Sequence, residues 1–140
     1  PQNSPPSRSA SVQGSGDGEK QSFILAARGD AVLGFCRFSA APNNADRVER
    51  AVPGGAMVGR LHSLYIDPDA LGQSIGHTLM NHALSTFAAW GCERANLWVL
   101  EGNSRAISFY ERQGWHRTGD TKVDQSFGLC LVEHEMAVQL

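Results

Sequence analysis

The sequence predicts a mixed β-sheet with helices packed on it, of α+β or α/β type, and two observations carry that reading. Two apolar runs flank Arg28-Gly29-Asp30, as in a hairpin, and farther on short apolar strands alternate with helical stretches as β-α-β units. A hairpin makes antiparallel pairs, whereas a crossover helix makes parallel ones, so both kinds share one sheet. The 140 residues suit one domain with its own core, and 15 glycines are more than a helical bundle uses.

Residues 1–21 read as a disordered Ser/Gly/Pro-rich tail or linker, because Val12 is their only sizeable aliphatic residue and burial cannot offset their ordering entropy. The folded domain is then 22–140. Phe23 to Ala27 and Ala31 to Phe38 are the hairpin strands. Ala40 to Ala56 has the Pro, Asn and Gly content of a long loop, with Arg47, Glu49 and Arg50 within it. Met57 to Ile66 is a third strand. Alternation sets Leu61, Ser63 and Tyr65 on one face and Leu64 and Ile66 on the other, so the strand is covered on both sides or bulged. Pro68 ends it.

A helix follows from near Gly72. Ile75, Leu79, Ala83 and Phe87 recur every fourth residue, and Gly91 stands where a C-terminal cap belongs. Ala95 to Leu100 is a strand. A second helix runs from about Arg105 to Gln113, capped by Asn103 or Ser104 and ended by Gly114. Trp115 to Arg117 and Gly128 to Val138 are strands around a polar stretch, Thr118 to Ser126.

Twelve Lys and Arg against 14 Asp and Glu give a net charge of -2 with no basic block, which argues against a nucleic-acid partner. Apolar stretches such as Phe87 to Trp90 fall far short of the roughly 20 residues of a membrane helix. No signal-peptide pattern opens the chain, and three scattered cysteines form no CxxC pair, so a reducing cytoplasm is expected. Cys36, Cys92 and Cys130 read as small core residues. His62, His82, His116 and His134 form no ligand set such as HExxH, and no catalytic metal is expected.

The densest chemical signal is Leu64-Tyr65-Ile66-Asp67-Pro68 followed by Gly72-Gln73-Ser74-Ile75-Gly76-His77-Thr78-Leu79. A strand running through a tight turn into a helix start points backbone N–H groups outward, and the helix dipole adds about half a positive charge there. Such an end can hold a phosphate, with small Ser74 and Gly76 allowing close approach. A Gly-rich turn before a helix is commonly only a cap, and neither the P-loop pattern nor GxGxxG is present. The second signal is Asn103 through Trp115, with Ala106, Phe109, Tyr110 and Gly114 inside it.

With both segments in order, the chain resembles the GNAT superfamily of acyl-CoA N-acyltransferases over about Ser22 to Leu140. One motif is Leu-x-Val-x-Pro with (Gln/Arg)-x-x-Gly-x-(Gly/Ala), and the other is Asn-x-x-Ala-x-x-Phe-Tyr-x-x-x-Gly-(Phe/Trp). The resemblance implies a three-layer α/β/α fold with splayed central strands, acetyl-CoA as cosubstrate, and direct acetyl transfer to a small-molecule or peptide amine. A homodimer is open to such a chain. The resemblance further implies that Gln73, Ser74, Ile75, Gly76, His77 and Thr78 wrap the coenzyme diphosphate, with pantetheine between Leu64 to Ile66 and Trp98 to Leu100. Tyr65, Asn103, Ala106 and Tyr110 join that coenzyme site. The N–H of Ile66 or its neighbour would bond the thioester carbonyl, and Tyr110 would return a proton to the leaving thiolate.

The sequence departs from the family at four points. Ser74 and Thr78 stand where Gly or Ala is usual. No carboxylate lies between Met57 and Ile66 to act as general base, which leaves Glu101, His62 or an ordered water; Glu101 acting through water is preferred. The family's usual N-terminal strand and helices have no counterpart in 1–20. A non-catalytic acyl-CoA-binding module, or a fragment whose motifs only preserve the fold, are the competing readings.

Overall fold

The computed structural model describes residues 8–12, 20–42, 57–72, 74–125 and 128–140. They form seven strands and two helices: β1 (Arg8–Val12), β2 (Lys20–Arg28), β3 (Ala31–Pro42), β4 (Met57–Ile66), α1 (Ile75–Ala89), β5 (Arg94–Leu100), α2 (Ser104–Arg112), β6 (His116–Asp124) and β7 (Leu131–Gln139). All seven strands lie in one sheet, in the order β1-β2-β3-β4-β5-β7-β6. The β4–β5 pair is parallel and every other pair antiparallel, so the sheet is mixed as expected.

The hairpin turns at Gly29, whose φ of 60° lies in the left-handed region that glycine enters at little cost. Beyond it the core is built from residues two apart on the strands and four apart on the helix. Ile24, Ala26, Cys36, Phe38 and Leu61 are buried with Ile75, Leu79, Ala83 and Phe87, and α1 packs against β2, β3 and β4. Phe87 meets Phe38 edge-on, with ring centroids 5.1 Å apart. Gly59 lies directly beneath it, where an added Cβ would come within 2.5 Å of the ring.

Two expectations need correction. The stretch 1–21 was expected to be a disordered tail, but Arg8–Val12 pairs with β2, Arg8 opposite Leu25 and Val12 opposite Gln21. An edge strand is held through main-chain groups on one side and needs no apolar side chains, so a Ser/Ala-rich segment leaves no hydrophobic pattern to read. The polar stretch after Arg117 is also strand: β6 continues to Asp124 beside β7, and Lys122 pairs with Glu133 at 3.7 Å and lies over the Trp98 ring. Here too the edge position tolerates polar residues on both faces. The long loop contributes Ala40 to Pro42 to β3, and its Arg47, Glu49 and Arg50 lie outside the described residues.

Two features shape the site. The β3–β4 register steps from Arg37 opposite Ser63 to Phe38 opposite Leu61, so His62 is the extra residue of a β-bulge. The β4–β5 ladder runs only from Val58 with Arg94 to Leu61 with Leu97, and beyond Leu61 the central strands part. The other helix, α2, docks on the start of α1, its Phe109 ring 3.1 Å from where a Cβ on Gly76 would sit. On the face away from α1, Phe23, Phe35 and Tyr65 stack in a row, with centroids 5.3 and 5.5 Å apart. Phe23 and Tyr65 in that row are exposed.

Candidate active site

The parted end of β4 is the first wall of a cleft of about 660 Å³. Asp67 N–H donates to Leu33 O at 2.8 Å, so the main chain of Asp67 faces β3. Because strand N–H groups alternate in direction, Tyr65 shares that side, while Leu64 and Ile66 point their N–H groups the other way, toward β5, where the ladder has ended. Asp67 accepts from Asp69 N–H and caps a single 3-10 turn, Pro68–Ala70, which carries the chain around to α1.

The start of α1 is the second wall. Ser74, the N-cap residue, is left-handed at φ 62° and makes no side-chain capping bond. The first intrahelical bond is from Thr78 N–H to Ser74 O at 3.0 Å, which leaves the N–H groups of Ile75, Gly76 and His77 without an intrahelical acceptor. Such an uncapped end favours an anion through its donors and its dipole. The His77 ring is engaged within the protein: Nδ1–H donates to Gln113 Oε1 at 3.0 Å and Nε2 accepts from Asn81 Nδ2 at 3.2 Å, a pattern met by the neutral tautomer protonated on Nδ1.

One face of α2 closes the cleft with Asn103, Arg105, Ala106, Phe109, Tyr110, Arg112 and Gln113. Asn103 caps this helix, its side-chain oxygen accepting Ala106 N–H at 3.2 Å, and it lines the cleft at the same time. Burial pushes the Tyr110 phenol up to about 12, with a smaller contribution from the neighbouring Cys36. Burial also lifts the Cys36 thiol to about 12. Both groups therefore stay protonated at any physiological pH.

The profile described as Acetyltransferase (GNAT) family matches residues 3–115, most of the chain. This chain belongs to the GNAT acetyltransferase family. The mycothiol acetyltransferase of Geodermatophilus obscurus is 34% identical over 95 residues, which is 68% of this chain and 29% of that protein. The peptidyl-lysine N-acetyltransferase YjaB of Salmonella typhimurium is 41% identical over 64 residues, 46% of this chain and 41% of its own length. The chain thus spans less than half of each of these two relatives. Among solved structures, a ribosomal-protein-alanine N-acetyltransferase from Brucella melitensis superposes with a TM-score of 0.67 at 24% identity, over 86% of this chain and 69% of that one. An Arabidopsis thaliana protein in complex with the bisubstrate analogue CoA-Ac-MVNAL gives 0.68 at 22%, over 84% and 72%.

Of the residues expected to form the site of this GNAT domain, Leu64, Tyr65, Ile66, Ser74, Ile75, Gly76, His77, Asn103, Ala106 and Tyr110 all line the one cleft. Gln73 lies outside the described residues. Thr78 is half-buried and does not line the cleft. Glu101 sits in the turn after β5, with its N–H bonded to Val132 O at 2.9 Å, and is not among the lining residues either. Sequence reasoning missed Arg105 and Arg112, which bring two guanidinium groups to the cleft. The signal was available: with Phe109 they follow the spacing of one helix face, the face that carries Ala106 and Tyr110.

Proposed function

We propose that the chain is an acetyl-CoA-dependent N-acetyltransferase that moves the acetyl group directly to an amine. One observation carries the reading: a single cleft joins the split-facing N–H groups of β4, the uncapped start of α1 and the half-buried Tyr110. The donor set fits coenzyme A. Main-chain donors at Ile75 to His77, with Arg105 and Arg112, suit a diphosphate, and the apolar Leu64, Ile66 and Phe109 suit the arm that follows. An N–H group of Leu64 or Ile66 would receive the thioester oxygen as negative charge develops on it. Holding amine and thioester side by side lowers the entropic part of the barrier.

The Tyr110 hydroxyl would donate a hydrogen bond to the departing sulfur. Glu101 receives no step in this reading, since it stands outside the cleft. The acceptor is a small-molecule or peptide amine, in keeping with the peptidyl-lysine acetyltransferase among the relatives. The described helices include none long and apolar enough to cross a membrane. A reducing cytoplasm accords with three free cysteines, two of them buried.

The test is calorimetric titration with acetyl-CoA beside adenosine diphosphate, followed by thiol release with an amine panel. One-to-one binding with acetyl-CoA tighter than the nucleotide, and amine-dependent thiol release, is the expected result. Binding without release for any amine would leave a binding module, and no binding would withdraw the reading.

A further inference from the structure

We propose that His77 is a positioning residue acting through Gln113: its imidazole latches the C-terminal end of α2 to the first turn of α1 and so holds the coenzyme cleft at its binding width. The proposal rests on the coenzyme-binding part of the reading above. It starts from how lightly α2 is held. The helix has nine residues, and Ile107 is the one among them that is buried. A helix this short is marginal in water by itself, so its place depends on what it docks against. Phe109 and Tyr110 are partly buried against the core. Phe109 lies over Gly76, close enough that an added Cβ would crowd the ring.

The latch lies one turn farther along the same face. Gln113, the C-cap residue of α2, stands four positions after Phe109, and His77 stands next to Gly76, so the two contacts are neighbours across the helix pair. His77 Nδ1–H donates to Gln113 Oε1 at 3.0 Å, and Asn81, one turn on along α1, donates to Nε2 at 3.2 Å. Both ring nitrogens are thus taken up in fixing the ring. The bond that Nε2 accepts keeps the proton on Nδ1, where the Gln113 oxygen needs it. His77, Arg112 and Gln113 all line the cleft, and the main-chain N–H of His77 is among the three donors left without an intrahelical acceptor. One residue therefore offers its main chain to an anion, and with its side chain secures the helix that brings Arg105 and Arg112 to the same cleft.

Without the latch α2 keeps Ile107 and the Phe109 contact, but its C-terminal end can swing away from α1, and coenzyme binding must first bring it back. An equilibrium of this kind shifts by no more than the free energy of the bond removed. One net hydrogen bond therefore sets a ceiling of about 12-fold on the loss of affinity. The Tyr110 ring is fixed separately, by its packing on Trp115 beyond the end of the helix. The latch thus acts on acetyl-CoA binding and spares kcat.

The experiment compares the full chain with H77A, Q113A, the double variant H77A/Q113A, H77N and H77Q. Calorimetry gives acetyl-CoA affinity, and thiol release with 2-phenylethylamine and with an end-blocked lysine peptide gives kcat. H77A and Q113A should each weaken binding about 2- to 12-fold with kcat within about twofold. The double variant should be no weaker than the weaker single one, because both changes remove the same bond. H77N should restore the parent affinity, since its amide nitrogen takes the place of Nδ1; H77Q, whose amide reaches the place of Nε2, should not. Unchanged affinity in H77A, or a kcat lowered more than tenfold, would overturn the latch. Additive losses in the double variant, or H77N as weak as H77A, would overturn it in favour of direct contact between the imidazole and the coenzyme, leaving the transferase reading intact. A parent that binds acetyl-CoA without releasing thiol would overturn the transferase reading alone, and the affinities would still decide the latch. A parent that binds no acetyl-CoA would overturn both.

Discussion

Replacing Tyr110 by phenylalanine isolates the leaving-group step. The phenol lies at about 12, raised first by burial and then by Cys36. An ordinary thiol titrates near 8.5, so moving the proton fully to a departing thiolate is uphill by about 3.5 units, or about 5 kcal/mol at about 1.36 kcal/mol per unit. The phenol therefore keeps its proton and acts as a hydrogen-bond donor. Such a bond to a charged acceptor is worth about 1.5–3 kcal/mol, so Tyr110→Phe should lower kcat about 10- to 150-fold. The ring and its packing against Trp115 are retained, and acetyl-CoA affinity should stay within about twofold. Thiol release at saturating acetyl-CoA, with calorimetry for affinity, measures both. The pH profile adds a second readout: the parent should show no alkaline limb near pH 10, where an unperturbed phenol would ionise. A kcat within threefold of the parent, or a limb near pH 10 that the substitution removes, refutes the reasoning.

Stability should fall at alkaline pH. Cys36 and Tyr110 are both raised to about 12, from 9.0 and 10.0, so the unfolded chain loses these protons first and the folded chain holds more of them. The contribution of these two groups is therefore constant below pH 9 and falls as pH rises from 9 to 12, by about 1.4 kcal/mol per unit for each group titrating only in the unfolded chain. Urea midpoints under reductant should show this slope and Cys36→Ala should reduce it; a midpoint constant to pH 10.5 contradicts it. Gly59→Ala drives a methyl group to 2.5 Å from the fully buried Phe87 ring. It should cost about 1–3 kcal/mol, partly recovered in combination with Phe87→Leu. A neutral effect on the thermal midpoint would mean that the Phe87 packing is wrong. Asn103→Ala should lose about 1 kcal/mol by uncapping α2, whereas Asn103→Asp should keep the cap yet weaken acetyl-CoA binding by placing a negative charge in the cleft. Equal acetyl-CoA affinities in the two variants would separate Asn103 from the coenzyme.

What could be read from the sequence, and what could not, follows from where each interaction is encoded. The stripe Ile75, Leu79, Ala83, Phe87 is local, since one helix face repeats every turn, and its burial agrees with the period. The capping of α2 by Asn103 is local as well. Edge strands are different: β1 and β6 are held by main-chain bonds to one neighbour, which leave no mark on side-chain composition, and β1 and the part of β6 after Arg117 were read as irregular. The bulge stood between these cases. Alternation along β4 signalled either cover on both faces or a bulge, but which residue is left over depends on the register with β3, set by Phe38 and Leu61 sharing the core with Phe87. That register also decides where the side chain of His62 lies. With His62 as the extra residue, an imidazole is held by Ser39 near the opening of the strands. Without the bulge, alternation would place Leu61 and Ser63 on one face and give His62 the face of Leu64, among the buried core. Which β4 side chains face the helices could not be read from spacing along the chain, because it rests on a one-residue offset between two strands.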